Sequence, residues 1–292
     1  MDIFDLIQKG KVKRYFRSRK KVSYPGAINH ITQRAPGKEV IFIEEQDYLF
    51  MLHLIKIAVK KFSLRFFSFV LMPNHIHFLF QLRKNNLSTS FQEIFHSYAF
   101  YFNRKYERKG HVFCGRFRQA LCFDESYLLA SSVYIHMNPV VAGLVKNISD
   151  YRWSSIIPFI QEFNKETFVD YKFILELLDK NIESARQMYM QLINRSIEIK
   201  IKNLWDNPEA MELFRDKFRI SLEEINPGLS SALSIDSEIE LLREKKHKRS
   251  PETIAAKVYL IEQLRAKGYS ISEISNKLNM SRQAIYNILN AH

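Results

Sequence analysis

Two histidines separated by one apolar residue stand in the segment Phe69-Val-Leu-Met-Pro-Asn-His-Ile-His-Phe-Leu-Phe80. Apolar runs on both sides of a Pro-Asn pair predict two buried strands joined by a turn. Because successive side chains of a strand point to opposite faces, His75 and His77 are expected to share one face and Ile76 to lie on the other. Two imidazoles on one face form half of a divalent-metal site. The alternative is that both are ordinary core or surface histidines.

Strands and helices alternate around these histidines. Strands are predicted over residues 27–33, 64–72, 75–82 and 112–123, and helices over 44–62 and 88–106. A third helix is predicted to begin after the N-cap Asp124 and to end near Asn138-Pro139. This order predicts an α+β fold of the ferredoxin-like type, an antiparallel sheet with helices on one face, in a first domain over residues 1–155.

The rest of the chain has helical periodicity. Residues 156–244 carry no pattern that suggests chemistry, so they predict an all-α middle region that acts as a spacer or scaffold. Residues 245–292 begin as a basic linker and continue as two short helices around a tight turn. They predict a helix-turn-helix domain that presents Arg282, Gln283 and Tyr286 to the major groove of duplex DNA. A small helical bundle that binds protein is the alternative.

Charge and composition indicate the kind of partner. The formal net charge is +13, which favours a polyanion, and the absence of a lipidation motif or a basic amphipathic helix favours nucleic acid over a membrane. With no apolar run of about 18 residues, no secretory signal and only two cysteines, a cytoplasmic protein with no membrane partner is expected. Ordinary solvated charge explains any single basic residue equally well. The residues expected to contact DNA in the first domain are Arg14, Arg17, Arg19, Arg104, Arg116 and Arg118.

Several spaced motifs carry a resemblance to a known family. The histidine segment, together with Tyr24-Pro-Gly-Ala-Ile-Asn-His-Ile-Thr-Gln-Arg34, Gly110-His-Val-Phe-Cys-Gly-Arg-Phe117 and Tyr134-Ile-His-Met-Asn-Pro-Val-Val-Ala-Gly-Leu144, resembles the single-tyrosine HUH transposases. Within that group the motifs are most similar to those of the REP-associated tyrosine transposases. The resemblance covers roughly the first half of the chain, and motifs in the same order are more specific than any one alone.

This resemblance implies a reaction and its residues. Family members cleave single-stranded hairpin DNA with a tyrosine and a divalent metal, and leave a 5′-phosphotyrosine and a free 3′-OH. By resemblance the nucleophile is Tyr134, and Asn138, one helical turn later, completes a metal site with His75 and His77. A plain helix-ending Asn-Pro pair is the alternative for Asn138, and His136 is a weaker candidate ligand. Imidazole and amide ligands predict Mg²⁺ or Mn²⁺ as the cofactor.

The sequence therefore predicts a DNA transposase or nickase whose partners are single-stranded or hairpin DNA and, through the C-terminal domain, duplex DNA. Two other classes of function stay open. One is a sequence-specific DNA-binding regulator with a decayed nuclease site, and the other is a metal-dependent hydrolase that forms no covalent intermediate. The sequence predicts neither the DNA target nor the oligomeric state.

Overall fold

The computed structural model describes residues 21–233, apart from 22, 24, 38, 123 and 200–207, and residues 257–291, apart from 258, 259, 262, 263 and 265–268. The predicted DNA-contacting residues Arg14, Arg17 and Arg19 lie outside the described residues. A four-stranded antiparallel sheet forms the centre of the structure, and its strands are β1 (Ile28–Arg34), β2 (Leu64–Met72), β3 (His75–Leu82) and β4 (Arg118–Leu121). The strands lie side by side in the order β2-β3-β1-β4.

The connections between the strands follow the predicted ferredoxin-like order. Helix α1 (Glu45–Phe62) joins β1 to β2, a two-residue turn joins β2 to β3, and α2 (Leu87–Lys105) precedes β4. A capping box between Glu44 and Asp47 begins α1, and Ser63, in the left-handed region at φ 54°, ends it. The predicted order strand, helix, strand, strand, helix, strand is thus observed.

Helices cover both faces of the sheet, which corrects the prediction of helices on one face. The neighbouring residues His77 and Phe78 mark the two faces: the Phe78 ring lies 6.1 Å from Phe91 on α2, between ring centroids, and His77 lies 5.6 Å from Tyr134. Tyr134 belongs to α3 (Glu125–Val141), which follows the edge strand β4. The physical reason is that β2 carries buried apolar residues on both faces, and His77 and Leu79 of β3 are buried on the face toward α3, so each face needs a covering layer.

The fourth strand is shorter than predicted. Residues 112–123 were expected to be extended throughout, but β4 begins only at Arg118. Before it the chain forms a loop in which Gly115 takes a φ of 68° and Cys114 donates a backbone hydrogen bond to Arg34. The aromatic side chains that suggested a strand, Phe113 and Phe117, pack against Phe95 of α2 instead.

Helix α3 continues through Pro139, which corrects its predicted end near Asn138-Pro139. It begins where Asp124 accepts a hydrogen bond from the backbone of Tyr127, as predicted, and it ends at Val141. Proline removes only its own N–H donor, and within the last turn a single lost bond does not end the helix. Backbone bonds from Ala142 to Asn138 and from Leu144 to Pro139 close the helix after the proline.

The helices that follow belong to the same hydrophobic core as the sheet. These helices are α4 (Ile157–Ile160), α5 (Tyr171–Glu176), α6 (Ile182–Ile197), α7 (Pro208–Ile225) and α8 (Leu229–Ala232). Helix α6 packs along α3, and α7 packs on both α3 and α6, with the buried residues Phe214, Phe218 and Leu222 facing inward. The predicted domain boundary near residue 155 stays a prediction.

Two short helices near the C-terminus have a small core of their own. Ser270 and Glu273 form a capping box at the start of α9 (Ile271–Leu278), and Asn279, at φ 50°, ends this helix before α10 (Arg282–Ala291). Ile274, Leu278 and Ile285 pack together in this second cluster, separate from the first core. Among the described residues, no helix combines the length and apolar character that a membrane span requires.

Candidate active site

Three predicted site residues converge between the sheet and α3. His75 and His77 lie on one face of β3, as the alternation of a strand requires, and their ring centroids are 5.0 Å apart. The Tyr134 ring reaches this face from α3 and stands edge-on to His77, with 5.6 Å between centroids. Tyr134 is only 8% exposed, and the Phe214 ring of α7 lies 5.9 Å away. A tyrosine ring and two imidazoles thus lie close together on this face of the sheet.

Strand β1 supplies contacts that hold the His77 ring. Thr32 is the cross-strand partner of His77, and its Oγ1 lies 3.0 Å from His77 Nδ1. Nε2 of His30, which precedes Thr32 on the same face, lies 3.0 Å from the same Nδ1 atom. With its proton on Nδ1, His77 donates toward this pair, and Nε2 is then the nitrogen that would bind a metal ion. This is the usual arrangement of a metal-binding histidine, whose second nitrogen contacts a polar partner.

Both histidines are held in the neutral form that binds metals. Burial lowers the pKa of His77 well below its usual value, and the neighbouring His75 and His30 lower it further. Burial, with a smaller effect from the Arg34 guanidinium, lowers the pKa of His75 to about 4. His75 Nδ1 is hydrogen-bonded to the Asn74 side chain at 2.7 Å, so its Nε2 is the nitrogen left for a metal ion.

Asn138 lies one turn after Tyr134, as predicted, but its amide nitrogen points back along the helix. Nδ2 donates to the backbone carbonyl of Tyr134 at 2.7 Å, which leaves the side-chain oxygen as the atom that would bind a metal. Among the described residues no three His, Cys, Asp or Glu side chains are grouped to hold a metal ion. A metal ion here would therefore need a ligand of another type, such as this amide, beside the two imidazoles.

His136 lies away from this region. Its Nδ1 is 2.7 Å from the Tyr189 hydroxyl, and its Nε2 is 2.8 Å from Ser155 Oγ. Both ring nitrogens are therefore hydrogen-bonded within the protein, on the side of α3 opposite Tyr134. This placement agrees with the expectation that His136 points off the face of the nucleophile.

The predicted DNA-contacting arginines are distributed over different surfaces. Arg118 is the cross-strand partner of Thr32, so it lies on the face of His77 and two strands from it, about 10 Å at the usual strand spacing. Arg116 is exposed in the loop before β4 and not on the strand that was predicted over residues 112–123. Arg104 is exposed near the end of α2, on the other side of the sheet. Arg282, Gln283 and Tyr286 are all exposed on α10.

The polar residues of β1 were not predicted to belong to the site. His30, Thr32 and Arg34 alternate along the strand, and the antiparallel pairing brings Thr32 beside His77 and Arg34 beside His75. Arg34 is exposed and adds positive charge next to the two imidazoles. The alternation of these polar residues is visible in the sequence from Ile28 to Arg34. Their position beside the histidines is not, because it depends on the pairing of this strand with β3.

Comparison with known proteins gives a family match over part of the chain. Residues 26–138 match the family model described as "Transposase IS200 like". A comparison with curated proteins gives no significant match. Among solved structures, a REP-associated tyrosine transposase bound to a REP hairpin is similar, with a TM-score of 0.42 and 20% identity over 47% of this chain and 81% of that chain. The family match confirms, for this part of the chain, the resemblance drawn from the motifs.

Proposed function

We propose that this chain, whose residues 26–138 match the IS200-like transposase family model, cleaves and rejoins single-stranded hairpin DNA through a 5′-phosphotyrosine on Tyr134. The observation that carries the proposal is the approach of the Tyr134 ring to His77, from a separate helix, inside the segment that matches the family. A cytoplasmic location and an additional duplex partner for the C-terminal helices belong to the same proposal.

The proposed step exchanges one phosphate ester for another. The Tyr134 oxygen attacks the scissile phosphorus and loses its proton to solvent, while the bond from phosphorus to the 3′-oxygen breaks and that oxygen takes up a proton. The products are a 5′-phosphotyrosine and a free 3′-OH, so the reverse attack rejoins strands without ATP. A phenol of pKa about 10 is a weak nucleophile near pH 7, so orientation and charge stabilisation at the phosphate must lower the barrier.

The residues present fit a divalent cation. His75 and His77 would hold it through their Nε2 atoms and Asn138 through its side-chain oxygen, and Mg²⁺ or Mn²⁺ suits such neutral ligands combined with phosphate oxygens. When bound, such an ion polarises a phosphate and offsets the charge of the transition state. Arg118 and Arg34, on the same face of the sheet, add positive charge for the DNA backbone.

A covalent-adduct assay tests the proposal. Labelled single-stranded hairpin DNA is incubated with the protein and Mg²⁺, and the products are separated under denaturing conditions. Wild type is expected to form a denaturant-resistant protein–DNA adduct, and Tyr134→Phe is expected to lose it entirely while DNA affinity stays within about twofold, because only the attacking oxygen is removed. Tyr127→Phe, on the same helix, is the matched control and should retain the adduct.

The other functional classes give different results in the same assay. Cleavage without an adduct would indicate a hydrolase, and binding without cleavage would indicate a DNA-binding regulator. An adduct that persists in Tyr134→Phe would assign the nucleophile to another tyrosine and contradict the proposed role.

A further inference from the structure

A buried chain of hydrogen bonds runs from α3 through α6 to the sheet. The Tyr189 hydroxyl on α6 lies 2.7 Å from Ser132 Oγ and 2.7 Å from His136 Nδ1, two residues one turn apart on α3. His136 Nε2 lies 2.8 Å from Ser155 Oγ. Ser155 in turn is bonded to both the backbone N–H and the backbone carbonyl of Phe69 on β2.

One assignment of donors and acceptors satisfies every hydrogen bond of this network. Ser155 donates to the Phe69 carbonyl, so it accepts from His136 Nε2. His136 Nδ1 then accepts from the Tyr189 hydroxyl, whose oxygen accepts from Ser132. This assignment places one proton on the ring, at Nε2, so the imidazole accepts at Nδ1 and donates from Nε2 at once. Every hydroxyl hydrogen has one acceptor, which is the condition for a rigid buried network.

The position of this network on α3 bears on Tyr134. Ser132 and His136 lie on one face of the helix, and Tyr134, midway between them, projects from the opposite face. A hydrogen bond at each of two successive turns resists rotation and sliding of the helix about its axis. The direction of the Tyr134 side chain toward His77 is therefore coupled to the hydroxyl of a residue 55 positions later in the sequence.

We propose that Tyr189 and His136 are positioning residues for Tyr134, and that orienting the nucleophile through α6 is a function of the helical middle region. The inference rests on the proposed function of Tyr134. Neither residue touches the reacting atoms, since both lie on the far side of α3. Misplacement of a reacting group by about 1 Å can lower a rate by about 100-fold, so loss of this network should slow the chemical step rather than DNA binding.

The test is the single-turnover rate of adduct formation at saturating hairpin DNA, measured for wild type, Tyr134→Phe, Tyr189→Phe and Tyr151→Phe. Tyr189→Phe removes one hydroxyl and should lower the maximal rate by about 10- to 100-fold, with the DNA concentration for half-saturation unchanged. Tyr151→Phe is the matched control, because its hydroxyl is also buried but donates to the backbone carbonyl of Leu71 on β2 and not to a residue of α3. Its rate should stay within about twofold of wild type.

A second pair of variants separates positioning from general stability. His136→Asn places a side-chain oxygen where it can accept from Tyr189, so it should retain more activity than His136→Ala at a similar thermal midpoint. If Tyr189→Phe does not fold cooperatively, Ser132→Ala, which removes only the donor to Tyr189, carries the same test with an expected loss of about three- to tenfold in rate.

The outcomes are distinct. Equal maximal rates for Tyr189→Phe and Tyr151→Phe would overturn the positioning role while leaving Tyr134 as the nucleophile. No adduct in wild type would remove the proposed function and this inference together. A loss of maximal rate in Tyr189→Phe alone, with partial recovery in His136→Asn relative to His136→Ala, supports the inference.

Discussion

At the scale of single residues, the site combines a pattern visible in the sequence with contacts that only folding creates. The spacing of His75 and His77 places both rings on one face of a strand. The contacts that orient His77 come from His30 and Thr32, more than 40 positions earlier. The ligand pair could therefore be predicted from alternation, whereas its supporting residues depend on strand pairing.

The proposed metal role of His75 gives a prediction that can be read without the reaction. His75→Ala removes one of two imidazole ligands, so the affinity for Mn²⁺, measured by titration calorimetry, should fall by at least about tenfold. The adduct should be lost, while hairpin affinity measured by fluorescence anisotropy should stay within about twofold.

His53→Ala is the matched control, since His53 is exposed on α1 and lies outside the site. It should leave both Mn²⁺ affinity and adduct formation unchanged. An unaltered Mn²⁺ affinity in His75→Ala would exclude His75 as a ligand.

At the scale of elements, the helix and strand bounds that were predicted correctly depend on residues within or next to the element itself. The bounds of β2 and β3 follow from apolar runs split by Pro73-Asn74, and the start of α3 follows from its cap at Asp124. The predicted end of α3 was wrong because a proline in the last turn removes only one hydrogen bond, and the predicted length of β4 was wrong because it depends on distant partners. Phe113 and Phe117, for example, are drawn from an extended strand into a loop by aromatic packing against α2.

The face on which α3 packs could not be predicted from its own residues either. Almost the whole helix is buried, because the sheet lies on one side and α6 and α7 on the others. Such a helix has no clear polar stripe, so its sequence does not reveal which face meets which partner. The two faces of α3 are distinguished by chemistry instead: Tyr134 faces the imidazoles, and Ser132 with His136 faces Tyr189.

The C-terminal helix pair offers a prediction about an element. Ser270 caps α9 through a reciprocal capping box with Glu273, so Ser270→Ala should destabilise this helix by about 1 kcal/mol. Amide hydrogen exchange over residues 271–278 should become about five times faster, since exchange follows the opening free energy.

Asn276→Ala, an exposed change within the same helix, is the control and should leave exchange as slow as in wild type or slower. Equal exchange in Ser270→Ala and wild type would show that the cap contributes no stability.

At the scale of the whole molecule, three buried histidines and the half-buried His75 make stability depend on pH. Burial lowers the pKa of His136 to about 3 and of His75 to about 4, and lowers those of His30 and His77 well below the usual value of 6.5. Below about pH 6.5 the unfolded chain therefore binds more protons than the native chain. The free energy of unfolding should fall as pH falls, by up to about 1.4 kcal/mol per pH unit for each histidine.

Urea denaturation without added metal at pH 7.5, 6 and 5 measures this effect. The carboxyls with lowered pKa, such as Asp47, titrate at lower pH, so the histidines dominate this range. The expected result is a steady loss of stability between pH 6.5 and 5, with a smaller slope in His136→Asn, which lacks one titrating group. A flat profile in wild type would contradict the neutral, buried state of these rings.

The separation of the two hydrophobic cores leads to a prediction about DNA binding. The C-terminal cluster around Ile274 and Ile285 is distinct from the core that holds Tyr134, so a chain ending before Ser250 should keep the first core intact. If the exposed Arg282, Gln283 and Tyr286 contact duplex DNA, this truncation should weaken duplex affinity by about tenfold or more. It should also reduce the slope of log affinity against log salt by about 1 to 3, one for each lost phosphate contact.

Adduct formation on saturating single-stranded hairpin should stay within about twofold, because the truncation leaves the tyrosine and the imidazoles in place. Unchanged duplex affinity and salt dependence would instead assign the helix pair to a protein partner.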